Sequence, residues 1–322
     1  MKKKTRLFVM LFACITCITV IYCQNKENKK SSGGWVKYEN NPVLGGDLGT
    51  IFDISVLKNN DGIYQMYCSW RPKKSIALSE SKDGLKWSLP VVCLCFNDSS
   101  SWEKDLNRPV VLEKDGIYHM WYTGQARGHS WIGYALSNDG KNWTRKSAEP
   151  VLSADIPWEK VAVMCPHVIW DDKDDLFKMW YSGGEQYEPD AIGYATSKDG
   201  LNWEKYSGNP IFINNKANEW EQFKVTACQV IKRSNDYLMF YIGFKNIDYA
   251  QIGMARSKDG ISNWERFKEN PIIKPGLGWD SSAVYKPYAI LDNNRWLLYY
   301  NGRRESHEQI GIAIHKGIDL GF

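Results

Sequence analysis

The sequence of 322 residues predicts an all-β fold, a five-bladed β-propeller, because one short segment recurs at a nearly constant interval. The segment has a serine, an Asp-Gly turn and a tryptophan, and its four copies begin at Ser81, Ser137, Ser197 and Ser257. These serines are 56 to 60 residues apart, close to the length of one four-stranded blade. A fifth set of strands follows the last copy, which gives five blades.

Each repeat contains the same predicted strands. An inner strand and a short turn lead to an aromatic strand, and a third strand then carries an Ile-Gly pair, at Ile132, Ile192, Ile252 and Ile310. The Asp-Gly turn reverses the chain into a fourth strand with the tryptophan. Runs of four to six β-branched and aromatic residues between turn signals are typical of strands, and no helical period competes with them.

The fourth strand of the last blade is predicted to come from the other end of the chain. The fifth unit ends at Phe322 after its third strand, whereas the segment from Trp35 to Leu44 matches the closing segments 203–212 and 264–273. Pairing of this N-terminal strand into the last blade would close the ring and remove its exposed sheet edges. We therefore expect one domain over residues 34–322.

The N-terminus is predicted to be an export signal over residues 1–23. Basic residues precede an apolar run, 7–22, that is too short for a comfortable membrane span. Cys23 ends this run and is followed by a polar tether, 24–33, as in bacterial lipoproteins. Two outcomes stay open: a lipoprotein of the periplasm or outer membrane, or a cleaved and secreted protein. We expect membrane association only through this anchor.

Charge and cysteine content exclude several other classes. The net charge of +4 comes from the four basic residues of the leader, so the remainder is nearly neutral and offers no electrostatic attraction to nucleic acid. Five cysteines follow the leader, an odd number without paired spacing, which predicts free thiols and neither a disulfide framework nor a zinc site. We expect no metal, no cofactor, and a monomer or small homo-oligomer.

Departures from the repeat indicate the functional residues. Aligned on their valine or alanine, the inner strands have as first residues Asp53, Arg108, Cys165, Ala227 and Lys286. Strand alternation predicts that the third residues, Ser55, Val110, His167, Gln229 and Tyr288, share the channel face with them. An acid, two cations, a histidine and an amide on one axis are typical of a polar ligand site.

The loops from second to third strand differ between blades and open at the same end as the starts of the inner strands. Variable polar and aromatic loops on a repetitive scaffold are where recognition is expected. These loops, together with the residues at their ends, supply Trp70, Arg71, Arg127, Trp131, Glu185 and Arg303. The recurring Trp-acid pairs, in contrast, predict scaffold elements, at Trp102-Glu103, Trp158-Glu159, Trp220-Glu221 and Trp279-Asp280.

With these features the chain resembles the five-bladed propeller glycosidases, meaning glycoside hydrolase families 43, 32, 68, 117 and 130 and related predicted glycosidases. The resemblance spans all five blades. It rests on the closing strand, on Asn-Pro segments at Asn41, Asn209 and Asn270, on Met-Trp-Tyr-x-Gly strands at 120–124 and 179–183, and on the ending from Tyr300 to Phe322. It implies an active site at the mouth of the axis, with a carboxylate on the first inner strand that Asp53 supplies.

The resemblance to family 43 implies two further catalytic carboxyls, and the chain lacks both at the expected positions. Cys165 stands where that family has an aspartate in the third blade, and Thr226 or Ala227 stands near the expected glutamate of the fourth. The family 43 catalytic set is therefore not transferable as a whole. The resemblance to family 117 implies a histidine as the general acid, and His167 is the candidate for this role.

The resemblance implies hydrolysis of a glycosidic bond in a poly- or oligosaccharide, and we expect inversion, for which the two carboxyls are about 6.5 to 9.5 Å apart. Asp53 is the expected base, and the candidates for the acid are Glu185, Asp105 and His167. Stacking on sugar faces is expected from Trp70, Trp131 and Tyr288, and polar contacts to the substrate from Arg71, Arg108, Arg127, Gln229, Lys286 and Arg303. Two alternatives remain, a glycoside phosphorylase and a non-catalytic glycan-binding propeller.

Overall fold

The computed structural model describes residues 32–322. The predicted export signal, Cys23 and most of the predicted tether lie outside these residues. Within the described range every long element is a strand, and four short 3-10 helices occur, at Gly46–Leu48, Arg71–Lys73, Pro157–Glu159 and Glu219–Glu221. No helix in this range is long and apolar enough to span a membrane. The all-β prediction is confirmed.

Twenty strands form five groups of four antiparallel strands. The first group contains β2 (Ile51–Lys58), β3 (Tyr64–Trp70), β4 (Ser75–Ser81) and β5 (Val91–Leu94). The second contains β6 (Asp105–Lys114), β7 (Ile117–Ala126), β8 (His129–Ser137) and β9 (Thr144–Arg145). The third contains β10 (Ala162–Asp171), β11 (Leu176–Gly184), β12 (Pro189–Ser197) and β13 (Glu204–Lys205).

The fourth group contains β14 (Lys224–Lys232), β15 (Tyr237–Asn246), β16 (Tyr249–Ser257) and β17 (Glu265–Arg266). The fifth contains β18 (Ala283–Asp292), β19 (Arg295–Arg304), β20 (His307–Lys316) and the N-terminal strand β1 (Trp35–Lys37), which pairs antiparallel with β20. The second and third groups share one parallel bridge, and no hydrogen-bonded sheet of residues 32–322 closes on itself.

The first strands of the groups contact one another in chain order. Strand β2 contacts β6, β6 contacts β10, β10 contacts β14, and β14 contacts β18. Strand β18 also contacts β2, so the contacts return from the last group to the first. Buried apolar clusters fill the spaces between neighbouring groups, as where Trp35, Phe240 and Leu298 pack together.

A buried cluster of a tyrosine, an acid and a base holds four of the groups together. In the third group, Tyr181 Oη donates to Glu159 Oε1 at 2.7 Å, and Lys205 Nζ of β13 donates to Glu159 Oε2 at 2.7 Å. The equivalent clusters are Tyr122, Glu103 and Arg145; Tyr241, Glu221 and Arg266; and Tyr300, Asp280 and Lys37. Strand β1 thus supplies to the fifth group the base that a fourth strand supplies elsewhere.

The tryptophan of each Trp-acid pair lies flat against two glycines of neighbouring strands. A Cβ atom at Gly183 would lie 2.6 Å from Trp158 Cζ3, and one at Gly193 would lie 2.8 Å from Trp158 Cζ2. Real Cβ atoms do not come so close, so only glycine leaves room for the ring. The Trp-acid pairs and the glycines of the second and third strands therefore recur together.

The Ser-x-Asp-Gly turns also connect neighbouring groups. In one copy, Ser197 Oγ accepts the Gly200 N–H at 2.9 Å. Asp199 Oδ1 accepts the N–H groups of Leu201 and Asn202. The carbonyl of Gly200 accepts the indole N–H of Trp121 from the preceding group at 2.9 Å. The same carbonyl contact recurs from Tyr67 to Gly140, from Trp180 to Gly260, and from Tyr299 to Gly84.

Deletion of residues 34–44 tests the contribution of the N-terminal strand. It removes the fully buried Trp35 and the Lys37 partner of Asp280, and exposes the edge of β20. We expect the melting temperature to fall by about 10 °C or more and the protein to aggregate on heating. Deletion of residues 2–31 serves as the control and should leave melting unchanged. Equal melting of the two proteins would contradict the closing role of β1.

Candidate active site

A β-bulge interrupts each first strand at the same position. The register of β2 against β3 shifts between Phe52 and Ser55, and equivalent shifts occur in β6, β10, β14 and β18. One residue of each bulge has a left-handed backbone: Asp53 (φ 51°), Arg108 (54°), Cys165 (52°), Ala227 (34°) and Lys286 (51°). Non-glycine residues rarely adopt this conformation, and such bulges are frequent next to active sites.

In four of the five groups, the backbone N–H of the left-handed residue bonds to a side chain of the preceding group. The acceptors occupy one equivalent position on the second strands. They are Asn301 for Asp53 (3.1 Å), Ser69 for Arg108 (2.9 Å), Thr123 for Cys165 (3.1 Å) and Ser182 for Ala227 (2.8 Å). These bonds join neighbouring groups and hold the left-handed residues at one level of the first strands.

The bulge changes the expectation that first and third residues share one face. Ser55 Oγ accepts the N–H of Val111 at 3.0 Å, and Gln229 bonds to both the N–H and the carbonyl of Ala289. The third residues thus bond to the backbone of the next group. His167, Gln229 and Tyr288 line a cavity of about 630 Å³ near the C-terminal ends of β6, β10 and β14, away from the end at which Asp53 lies.

His167 is held as a neutral side chain. Its Nε2 lies 2.8 Å from the carbonyl of Val230, so this nitrogen carries the hydrogen and donates a hydrogen bond to the carbonyl. Burial lowers the pKa of His167 to about 3, with Lys286 acting in the same direction and the Val230 hydrogen bond opposing it. A histidine acts as a general acid in its imidazolium form, and the lowered pKa disfavours that form at neutral pH.

Asp53 lies at the centre of a charged cluster. Its side chain is 5% exposed, and Oδ2 lies 3.5 Å from Arg108 Nε. Asn301 Nδ2 donates to the other carboxylate oxygen at 3.3 Å. Oδ2 accepts no hydrogen bond from residues 32–322. Arg108 is fixed in turn, since its Nη1 donates to Asn107 Oδ1 at 2.5 Å.

Glu188 is the second carboxyl of this cluster, and it was missed in the sequence. It lies half-buried in the loop between β11 and β12. Burial raises its pKa to about 7; the charges of Arg108, Arg303 and Lys224 oppose the shift, and the charge of Asp53 adds to it. A carboxyl that keeps a proton near neutral pH beside a second carboxyl is typical of acid–base catalysis.

Glu185, in the same loop, has a different environment. Its side chain is 58% exposed and pairs with Lys160 Nζ at 2.9 Å. The sequence Glu-Gln-Tyr-Glu offers both glutamates in one variable loop. Only the fold decides which of them is covered by neighbouring groups, and it covers Glu188.

Asp105 lies within the electrostatic reach of the same cluster. Burial raises its pKa, and the charges of Arg71, Arg108 and Lys74 counteract the shift.

A fourth carboxylate, Glu308, was not predicted from the sequence. Tyr285 Oη donates to its Oε1, and Arg71 Nη2 donates to its Oε2 at 3.1 Å.

The remaining predicted residues surround this cluster or lie between groups. Arg303 lies over the Tyr285 ring at 5.9 Å, and its buried Nε has no hydrogen-bond partner among residues 32–322. Trp131 stacks on His129 at 5.6 Å, and Arg127 donates to the carbonyl of Ser101 at 2.8 Å. The Trp70 indole N–H bonds to the carbonyl of Leu48 at 2.8 Å.

Lys286 is a buried cation at the level of Asp53. Its residue is 5% exposed, and its ammonium has no carboxylate within 4.0 Å in the described chain. The side chains in its electrostatic reach include Cys165, Cys228 and His167. Burial raises the pKa of both thiols, so they stay protonated. Within residues 32–322, no group of three or more His, Cys, Asp or Glu side chains is placed to hold a metal ion.

Comparison with solved structures supports the same fold. A thermostable family 43 glycoside hydrolase matches with a TM-score of 0.67 and 20% identity, over 84% of this chain and 91% of that one. A putative glycosidase from Bacteroides thetaiotaomicron matches with a TM-score of 0.70 and 16% identity, over 87% and 96%. A structure from the family 130 mannoside phosphorylases and hydrolases matches with a TM-score of 0.68 and 16% identity, over 89% and 97%.

Curated relatives are similar at the sequence level. A β-1,2-mannobiose phosphorylase of Thermoanaerobacter sp. (strain X514) is 28% identical over 282 residues, which covers 66% of this chain and 91% of the relative. An uncharacterized protein of Mycobacterium tuberculosis is 27% identical over 191 residues, or 57% of this chain. The match spans 60% of the length of that relative.

The model of the glycosyl hydrolases family 32 N-terminal domain matches residues 95–270. The matched segment begins before β6, which carries Arg108, and continues through the fourth group. It is more than half of the chain, and the predicted resemblance to the propeller glycosidases is confirmed. The chain belongs to the glycosyl hydrolase family 32 N-terminal domain family.

Proposed function

We propose that this protein is a glycoside hydrolase that cleaves a poly- or oligosaccharide at the end of the first strands where Asp53 lies. The observation that carries the proposal is the carboxyl pair at this end. Glu188 has a pKa of about 7, and Asp53 lies within its electrostatic reach. Cleavage of a glycosidic bond with inversion requires one carboxyl that gives a proton to the leaving oxygen and a second that activates water.

We also propose that the five groups are the blades of one closed propeller, formed by residues 34–322. The contact between β18 and β2 supports this arrangement. So do the hydrogen bonds from Tyr299 Oη to the Gly84 carbonyl, at 2.9 Å, and from the Asp53 N–H to Asn301. In such a ring the five left-handed residues would surround the axis at one level.

In the proposed reaction Glu188 is the general acid and Asp53 the general base. Asp53 takes a proton from a water molecule, whose oxygen forms a bond to the anomeric carbon. The bond from that carbon to the leaving oxygen breaks, and Glu188 gives its proton to this oxygen. One proton is accepted and one donated, and the configuration at the anomeric carbon inverts.

Neighbouring side chains would orient the sugar. Arg71 and Arg303 present guanidinium groups, which donate hydrogen bonds to hydroxyls or to an anion. Trp131 offers a ring for stacking on a sugar face.

Export through residues 1–23, with either lipid attachment at Cys23 or release, is part of the proposal and rests on the sequence alone.

A glycoside phosphorylase is the second candidate function. Two curated relatives from Thermoanaerobacter sp. (strain X514) carry the names β-1,2-mannobiose phosphorylase and 1,2-β-oligomannan phosphorylase. Arg303 Nε and the ammonium of Lys286 are cationic groups without a carboxylate partner in the described chain, as a phosphate-binding site would need. In this reaction phosphate, and not water, attacks the anomeric carbon.

Replacement of Asp53 by asparagine tests the proposed base. Asp53→Asn keeps the size of the side chain but cannot accept the proton, so we expect turnover to fall at least about a hundredfold with unchanged melting and glycan binding. Lys141→Met, which removes an exposed ion pair with Glu80, is the control and should retain turnover. Nearly unchanged turnover in Asp53→Asn would show that the base lies elsewhere.

The pH profile tests Glu188. The acid must be protonated to act, so kcat/KM should decline as the pH rises through about 7, the raised pKa of this group. In Glu188→Gln this decline should disappear, and cleavage of alkyl glycosides should fall by about 10² to 10⁴. Nitrophenyl glycosides, whose leaving group needs no proton, should be affected far less.

The same loop offers a matched variant for this experiment. Glu185→Gln removes an exposed carboxylate three residues away and should preserve both the rate and the decline near neutral pH. If Glu185→Gln loses the decline while Glu188→Gln keeps it, the assignment of the acid is wrong.

Dependence on phosphate separates the candidate functions. The glycan panel should include β-1,2-linked mannobiose, because two relatives are named for that linkage. A hydrolase releases free sugar at a rate that does not change with phosphate, whereas a phosphorylase requires phosphate and releases a sugar 1-phosphate. Binding of a glycan without turnover under both conditions would instead indicate a non-catalytic glycan-binding protein.

A further inference from the structure

Asn301 differs from its counterparts in the other groups. The equivalent second-strand residues are Ser69, Thr123, Ser182 and Ile242. The three hydroxyl residues each accept one backbone N–H from the next group, and Ile242 has no polar atom to do so. An amide occurs at this position only in the group that contacts Asp53.

Both polar atoms of the Asn301 side chain bond to Asp53. Oδ1 accepts the backbone N–H of Asp53 at 3.1 Å, and Nδ2 donates to the Asp53 carboxylate at 3.3 Å. Asn301 is fully buried on β19, where its neighbours across the sheet are Tyr285 and Ile310. The planar amide therefore fixes the carboxylate relative to the left-handed backbone of the same residue.

The second of these bonds has a chemical consequence. A donor to a carboxylate stabilises its ionised form, which is the form that a general base requires. It also occupies one oxygen and leaves the other, Oδ2, without a hydrogen bond from the described chain. A serine or threonine hydroxyl can accept the N–H, but its O–H starts from the same atom on a shorter side chain and does not extend to the carboxylate as the separate Nδ2 of Asn301 does.

We propose that Asn301 is the positioning residue for Asp53, an inference that rests on the proposed role of Asp53 as the base. Asn301 belongs to the last group and Asp53 to the first. The base is thus held by a side chain that reaches it across the contact between these two groups. Because Asn301 lies in the fifth group, which includes β1, the folding of that group affects the proposed reaction through the Asn301 side chain.

Replacement of Asn301 by serine separates positioning from simple stability. Asn301→Ser restores the residue found at this position in the first and third groups, so an acceptor for the Asp53 N–H remains. Loss of the donor to the carboxylate should lower kcat about tenfold to a hundredfold, with KM changed by less than about threefold. The acidic limb of the kcat/KM profile should move to higher pH.

The matched control is Ser182→Ala, which removes the same kind of N–H bond beside the apolar Ala227. It should lower the melting temperature but leave both limbs of the pH profile in place. If Asn301→Ser also lowers melting alone, with kcat and the acidic limb unchanged, Asn301 is a structural residue and the inference is wrong.

Asn301→Asp supplies a second test if the serine variant is unstable. It keeps an oxygen for the Asp53 N–H but places a carboxylate oxygen where the donor was. The acidic limb of the kcat/KM profile should then lie at higher pH than in Asn301→Ser, because the introduced carboxylate and that of Asp53 repel each other. An unshifted limb would overturn the inference.

An infrared measurement distinguishes failure of this inference from failure of the proposed function. Difference spectra against Asp53→Asn isolate the carboxylate stretch of Asp53 during a pH titration. The stretch should appear at higher pH in Asn301→Ser than in the unmodified protein, whether or not Asp53 is the base. Full turnover in Asp53→Asn would refute the proposed function, whereas an unmoved stretch would refute the positioning role.

Discussion

The structure depends on one hydrogen bond that recurs between neighbouring groups, from the N–H of a left-handed residue to a side chain on the preceding second strand. The bond gives a partner to a backbone N–H that would otherwise be buried without one. Each such unpartnered donor would cost about 1 to 3 kcal/mol of stability. The bond also holds Asp53, Arg108 and Cys165 at one level. The contact that stabilises the scaffold is thus the contact that assembles the candidate site.

The group that carries Asp53 departs most from the repeat. Cys68 replaces the tyrosine that other groups bond to a buried acid, and Trp70 replaces the glycine that lies under a tryptophan ring. The tyrosine, acid and base cluster of the other four groups has no counterpart there in the described chain. The first group is joined to its neighbours by the turn contacts at Gly84 and Gly140 and, at the end of β2 where Asp53 lies, by Asn301 and Arg108.

Buried carboxyls in this protein have two distinct environments. The scaffold acids Glu103, Glu159 and Glu221 each contact a tyrosine hydroxyl and a basic side chain at less than 3.1 Å. Glu188 has no such partner at its carboxyl in the described chain, and burial raises its pKa to about 7. Among these buried glutamates of the described chain, Glu188 thus differs from the scaffold acids in that no base lies within bonding distance of its carboxyl, so nothing there offsets the effect of burial at close range.

The sequence by itself determined the features that depend on local chemistry. The Ser-x-Asp-Gly turns, the strand order and the pairing of Trp35 with the last group follow from residues that repeat. The departures from the repeat placed Asp53 on an inner strand, and the resemblance to the propeller glycosidases implied its role as the base. The tertiary structure decided the rest. The bulges ended the alternation that put His167 and Gln229 beside Asp53, and the packing of neighbouring groups covered Glu188 rather than Glu185. Burial and the charges around a side chain come from residues far apart in the chain, so no local pattern encodes them.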